Sequence, residues 1–98
     1  MKAECFIIAR RMNRYGDCDF LVQWDDICGG AFRLSHGSAM VFHSRDDGLA
    51  ALHRIAAALP ACPITGRPEE YWIFDRSQVR VRPYALPEPL AIVRGLAP

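Results

Sequence analysis

Arginine is the residue type in this sequence with the most chemistry to offer. Eleven of the twelve basic residues are Arg, although the net charge is only +1. A guanidinium can hold a carboxylate or a phosphate through two parallel hydrogen bonds. Arginines beside aromatic residues are typical of protein-binding hot spots and of single-strand nucleic-acid sites. A GC-rich genome would produce the same surplus without any binding role. The candidate interaction residues are Arg80, Arg82, Arg10, Arg11, Arg14, Tyr71, Trp72 and Tyr84.

Cysteine and histidine are the second source of possible chemistry. A zinc site made from Cys18, Cys28, His36 and His43 would need two ligands close in sequence, and the gaps here are ten, eight and seven residues. A nucleophilic Cys or Ser38 would need a histidine brought to it by the fold, and no known catalytic sequence surrounds any of them. We therefore expect no catalytic residue, metal or cofactor. A small Cys/His enzyme or metalloprotein stays open as an alternative.

Three pairs of adjacent carboxylates are also poorly placed for acid–base catalysis. Neighbouring side chains point to opposite faces of a strand, and on a helix they lie about 100° apart. Each pair has a simpler use in a turn or at the start of a helix. The pairs are Asp25–Asp26, Asp46–Asp47 and Glu69–Glu70.

Length and composition predict one globular domain. The chain has 98 residues, of which 51% are hydrophobic and 23% charged, so residues 1–98 are expected to share a single modest core. No apolar run approaches the roughly 20 residues of a membrane span, and the first residues do not resemble a signal peptide. We expect a cytoplasmic protein with reduced cysteines and no membrane partner.

The first half of the chain predicts a hairpin and an ambiguous middle. Residues 3–10 are almost continuously apolar, which favours a strand near the centre of a sheet. Residues 18–24 form the second strand, and simple alternation puts Phe20, Val22 and Trp24 on one face. The segment 27–43 contains short strand candidates at 31–34 and 39–43, and the second is equally a lead-in to a helix.

A helix over about 45–59 is the clearest local prediction. Ser44 is a good N-cap, and Asp47 stands three residues later in a capping-box arrangement. Apolar residues then recur at three- and four-residue spacing until Pro60 ends the helix. The other side is rich in alanine, so it is either partly covered or part of an interface. The apolar stripe consists of Leu49, Leu52, Ile55, Ala56 and Leu59.

The last third of the chain predicts a second hairpin and a tail. The β-prone run 71–74 and the alternating run 78–83 read as two strands with one solvent-facing side, and Arg80 and Arg82 share that side. An extended, proline-rich tail begins at about residue 84, and its apolar run 90–93 either adds an edge strand or docks on a partner. The fold class is α+β: an antiparallel sheet of about four to six strands with one main helix on one face.

In size and build the chain resembles the short inhibitors encoded by phages and mobile elements, such as anti-CRISPR proteins. The resemblance covers the length, the α+β build and the lack of catalytic or targeting motifs, and it includes no residue pattern. It implies a non-enzymatic protein-binding module that inhibits a host defence complex. A nucleic-acid-binding module with an Arg/aromatic sheet face is the alternative from another class. The partner is expected to be another protein, and a homodimer is open as well.

Overall fold

The computed structural model describes residues 4–11, 18–25, 29–58, 70–81 and 84–94. These residues form an α+β fold with one main helix and a five-stranded antiparallel sheet, as the sequence predicts. The elements are β1 (Phe6–Arg11), β2 (Cys18–Asp25), β3 (Gly29–Arg33), α1 (Arg45–Ala58), β4 (Glu70–Asp75), β5 (Arg80–Val81), β6 (Tyr84–Ala85) and β7 (Ala91–Arg94). The strand order of the main sheet is β3-β2-β1-β4-β7, and β5 and β6 pair separately.

Strand β1 is the central strand of the sheet. Four consecutive residues, Phe6 to Ala9, are buried, so both faces of the strand are covered. This explains why the apolar run in the sequence shows no alternation, since a strand that is buried on both faces has no polar side. The predicted β1–β2 hairpin is also present, with Ala9 opposite Phe20 and Arg11 opposite Cys18.

Helix α1 packs on one face of the sheet, here called the helix face. Ser44 begins the helix as predicted, because its hydroxyl accepts a hydrogen bond of 3.0 Å from the backbone N–H of Asp47. The buried side of α1 covers side chains from β1, β2 and β4 and makes the larger of two apolar clusters. Its fully or nearly buried members are Phe6, Ile8, Leu21, Ala51, Leu52, Ile55, Ala56, Tyr71 and Ile73.

Gly48 sets how closely α1 approaches the sheet. It is buried, and a Cβ at this position would lie 2.5 Å from Cδ1 of Ile73, which is itself fully buried. Alanine normally stabilises a helix interior by about 1 kcal/mol relative to glycine. Overpacking of a core, however, costs about 1–3 kcal/mol. A side chain at position 48 would therefore force Ile73 to shift within a buried cluster if the first turn of the helix is to stay in contact with β4.

We expect Gly48→Ala to lower the free energy of unfolding by about 1 kcal/mol, because overpacking outweighs the gain in helix propensity. In an Ile73→Val background, which lacks the Cδ1 atom, the same substitution should instead stabilise the protein. Urea denaturation of the four proteins of this cycle measures both effects. A Gly48→Ala change that is equally stabilising in both backgrounds would contradict the close approach.

The opposite side of the sheet, here called the helix-free face, carries a second and smaller core. Ile7, Ala9, Phe20 and Phe74 are buried there although α1 lies on the opposite face. Their cover comes from irregular segments, through Ala39, Val41, Val79 and Leu86. Both faces of the centre of the sheet are therefore dry.

The middle segment 27–43 contains strand β3, a 3-10 turn at His36–Ser38, and a short stretch that enters the sheet. Phe42 and Phe6 exchange two backbone hydrogen bonds of 2.8 Å, and the N–H of Met40 bonds the carbonyl of Leu21. The stretch 40–42 thus bonds to both β1 and β2 at the end where their own pairing stops. It then continues directly into the helix.

One expectation about β2 is wrong. Phe20, Val22 and Trp24 do not share a face, because the pairing between β2 and β3 shifts between Leu21 and Gln23. A bulge inserts one extra residue and reverses the alternation beyond it. Phe20 therefore lies in the core of the helix-free face, and Trp24 packs against the cluster under the helix.

The predicted second hairpin is also wrong. Strand β4 pairs with β1 on one side and with β7 on the other, so it has no free edge for the run 78–83. The chain leaves the sheet through a 3-10 turn at Arg76–Gln78, where the Asp75 carboxylate accepts the N–H of Ser77 at 2.9 Å. Strand β5 then pairs with β6 instead. The tail does supply an edge strand, β7. This was one of the two expectations for residues 90–93, the other being docking on a partner.

Candidate functional site

Arg10 makes an ion pair within the fold. Its guanidinium makes a two-pronged bond to Asp19, with Nε–Oδ1 at 3.2 Å and Nη2–Oδ2 at 2.8 Å. Asp19 is only 5% exposed, and the guanidinium lies 4.2 Å from the centre of the Phe32 ring. A buried carboxylate needs such a partner, so this arginine is committed to stability.

Tyr71 has to be removed from the predicted interaction residues. It lies on β4 opposite Arg10 and is fully buried in the cluster under the helix. The sequence suggested an exposed stacking ring because Tyr71 is one of several aromatic residues interleaved with the arginines. Adjacent strand residues point to opposite faces, however, and here both faces carry a core.

Glu70 is the centre of a polar cluster on the helix-free face. Its Oε2 accepts a hydrogen bond of 3.2 Å from the indole N–H of Trp72 and lies 3.5 Å from Nη1 of Arg11. Its Oε1 lies 3.9 Å from Nε of Arg94. The sheet places these groups side by side, because Glu70 is directly opposite Arg94 on the neighbouring strand. One carboxylate thus holds two guanidiniums and one indole.

Strand β7 completes this surface with apolar side chains. Exposure alternates along the tail, so that Leu90, Ile92 and Arg94 face solvent while Ala91 and Val93 turn toward the helix face. Ile92 is 54% exposed and lies directly opposite Trp72. We call this surface the β7 patch; it consists of Arg11, Glu70, Trp72, Leu90, Ile92 and Arg94.

The β7 patch combines a charged group with an ordered aromatic ring. The carboxylate of Glu70 accepts a hydrogen bond from the indole of Trp72, and the guanidiniums of Arg11 and Arg94 lie 3.5 Å and 3.9 Å from it. Trp72 is half-buried and is held in place by an edge-to-face contact with Phe74, with ring centres 6.0 Å apart. The result is an apolar strip with a rigid aromatic ring behind it and a net positive charge at one end.

Of the remaining predicted interaction residues, only Arg80 has a described side chain, and it does not join the patch. Arg80 is exposed on β5, in the separate two-stranded sheet. Arg14 and Arg82 lie outside the described residues, and only the backbone of Tyr84 is described. The alanine-rich back of α1 is exposed at Ala50, Ala57 and Ala58, but α1 covers the other face of the sheet from the patch.

Three of the four candidate cysteine and histidine ligands lie within the described residues. His36 is half-buried with its ring edge against Phe20 at 6.0 Å, whereas His43 is exposed. Cys18 packs beside the core of the helix-free face, and Cys28 lies outside the described residues. Within the described part of the chain, no three Cys, His, Asp or Glu side chains converge as a metal site would require. No helix in this same part is long and apolar enough to cross a membrane.

No known protein family matches this chain, and neither does any curated protein or solved structure.

The sequence indicated Arg11 and Trp72 as interaction residues but missed most of their neighbours. Glu70 was interpreted only as one of a pair of carboxylates, and Leu90 and Ile92 only as part of an apolar tail. The sequence offered no signal for them, because residues 90–93 are all apolar. Their alternating exposure appears only once β7 is paired with β4.

Proposed function

We propose that this protein is a non-enzymatic protein-binding module and that the β7 patch is its contact surface. The observation that supports it best is Ile92, a large apolar side chain that is more than half exposed and lies directly against Trp72. Trp and Arg are the residue types most enriched at binding hot spots, and the patch presents both around an apolar centre.

The chemistry of the patch also suggests which kind of surface would complement it. Arg94 has a largely exposed side chain at one end, and Arg11 lies on the other side of Glu70. The three groups together carry one net positive charge. A complementary protein surface would offer an apolar side chain for the strip between Leu90 and Ile92 and a carboxylate for Arg94. The resemblance to phage-encoded inhibitors suggests that the bound protein loses activity, as a component of a host defence complex would.

A protein partner agrees better with the patch than a nucleic acid does. Glu70 stands between the two arginines, where it repels phosphate. Tyr71 is buried, so it cannot serve as a second ring beside Trp72 on which successive bases could stack. The chain's net charge of +1 gives no electrostatic attraction to a polyanion.

Ile92→Asp should weaken partner binding at least tenfold, because it places a charge at the apolar centre of the contact, where a hot-spot substitution costs about 2 kcal/mol or more. The protein is immobilised and exposed to host lysate, and a captured protein is then purified and titrated by calorimetry against wild type and variant. Leu34→Asp is the matched control, since Leu34 is 74% exposed and lies outside the patch.

Equal binding by wild type and Ile92→Asp would exclude the patch as the contact. The captured protein's own activity, assayed with and without this chain, tests the inhibitory role. A gel shift at low salt that disappears in Arg94→Ala would favour the nucleic-acid alternative, since phosphate-driven binding strengthens as salt falls.

A further inference from the structure

The second feature of β7 is its position at the edge of the sheet. Among the described residues β7 pairs with β4 alone, and none of them forms a strand on its other side. Soluble proteins commonly protect such edges with proline, lysine, a bulge or an inward charge. Within Ala91–Arg94 there is no proline, no lysine and no shift in register, and Ile92 is exposed at its centre. The edge is therefore well suited to pair with another strand.

We propose that this strand is β7 of a second copy, paired antiparallel about a twofold axis at Ile92. The two five-stranded sheets then continue into one another. The contact lies in the plane of the sheet, whereas the partner protein proposed above binds the helix-free face. The proposal thus goes beyond the protein-binding function and does not depend on it.

The side chains of β7 favour one register for this pairing over the others. With Ile92 opposite its symmetry mate, Leu90 lies opposite Arg94 of the other copy, and the stem of the arginine can cover the leucine. The two Arg94 guanidiniums are then at opposite ends of the strand pair. Pairing centred on Arg94 would instead place like charges directly opposite each other, which is destabilising.

A register centred on Ala91 is disfavoured by the backbone. It would require pairing through Pro89, which has no N–H to donate and precedes the strand. The Ile92 register uses only residues 90–94, and within it Leu90 can contribute its carbonyl and side chain but not its N–H, which is already bonded to the carbonyl of Ile73. The pairing is short and buries less than the roughly 1,200 Å² of a stable interface, so the dimer should be weak.

Sedimentation equilibrium of the purified chain tests the proposal. We expect a dimer fraction that rises between about 10 µM and 1 mM protein, since only weak association follows from so small an area. Ile92→Asp should remain monomeric at the highest concentration, because it puts two carboxylates opposite each other. Leu34→Asp should dimerise like wild type. A wild-type chain that is monomeric at 1 mM would overturn the proposal.

Two substitutions at Leu90 test the register without disturbing Ile92. Leu90→Glu places a carboxylate opposite Arg94 of the other copy twice per dimer, so association should strengthen roughly threefold at low salt. Leu90→Lys should weaken association by a similar factor. If both variants weaken it equally, the Ile92 register is wrong. These measurements use the purified chain alone, so their failure is distinguishable from the failure to find a partner protein.

Discussion

Phe20→Ala is expected to lower the free energy of unfolding by about 3–5 kcal/mol, the cost of removing a large aromatic side chain from a packed core. Phe20 is fully buried on the helix-free face, where the cover consists of Ala39, Val41 and segments after β4 and not of a helix. The size of the loss therefore measures how tightly these irregular segments pack. Chemical denaturation monitored by circular dichroism gives the value.

Ile92→Ala is the matched control, because Ile92 lies on the same face and in the same row across the sheet. Phe20 is opposite Ala9, Ala9 is opposite Trp72, and Trp72 is opposite Ile92. At the exposed end of this row the loss should be about 0.5 kcal/mol or less. If Phe20→Ala leaves too little folded protein, Phe20→Leu should show a loss of about 1–2 kcal/mol. Similar losses for Phe20→Ala and Ile92→Ala would mean that the helix-free face has no core.

Asp19→Ala is expected to cost about 3 kcal/mol of stability, because it leaves the partly buried guanidinium of Arg10 without its two-pronged carboxylate partner. The double variant Arg10→Met/Asp19→Leu should recover most of that loss, since an apolar pair of similar volume avoids the desolvation cost of both charges. The denaturation midpoints of the wild type and these variants measure the difference.

Arg94→Ala provides the comparison for a surface ion pair. Arg94 is mostly exposed and its Nε is 3.9 Å from Glu70, so its removal should change stability by about 0.5 kcal/mol or less. A loss for Asp19→Ala no larger than this would show that the Arg10–Asp19 pair is not structural. In that case Arg10 would again be a candidate for the binding surface.

Features that depend on near neighbours in the chain were predictable. Ser44, the acidic first turn and an apolar stripe within fifteen residues together predict the helix. Its cap and its backbone hydrogen bonds join residues only a few positions apart. The central position of β1 follows from four consecutive apolar residues, since only a strand covered on both sides has that composition. The predicted hairpin of β1 and β2 needed only a turn between two adjacent strands.

Features that depend on distant neighbours were not predictable. A single extra residue near Val22 reverses the alternation of side chains between the two faces of β2. No residue type in this segment indicates the bulge. The pattern of β4 cannot show that β1 and β7 occupy both its edges, because one partner lies about sixty residues before it and the other follows an irregular tail. The predicted hairpin with the run 78–83 was wrong for this reason.

The sequence by itself determined the α+β class, the capped helix, the central apolar strand and the surplus of arginine. Only the tertiary structure decided which arginines are available. Arg10 and Arg11 are neighbours in the chain, yet the pleat sends one to Asp19 on the helix face and the other to Glu70 on the helix-free face. The type of a side chain is given at one position of the sequence. The residue that it contacts depends on which strands pair across the sheet, and that pairing joins residues far apart in sequence.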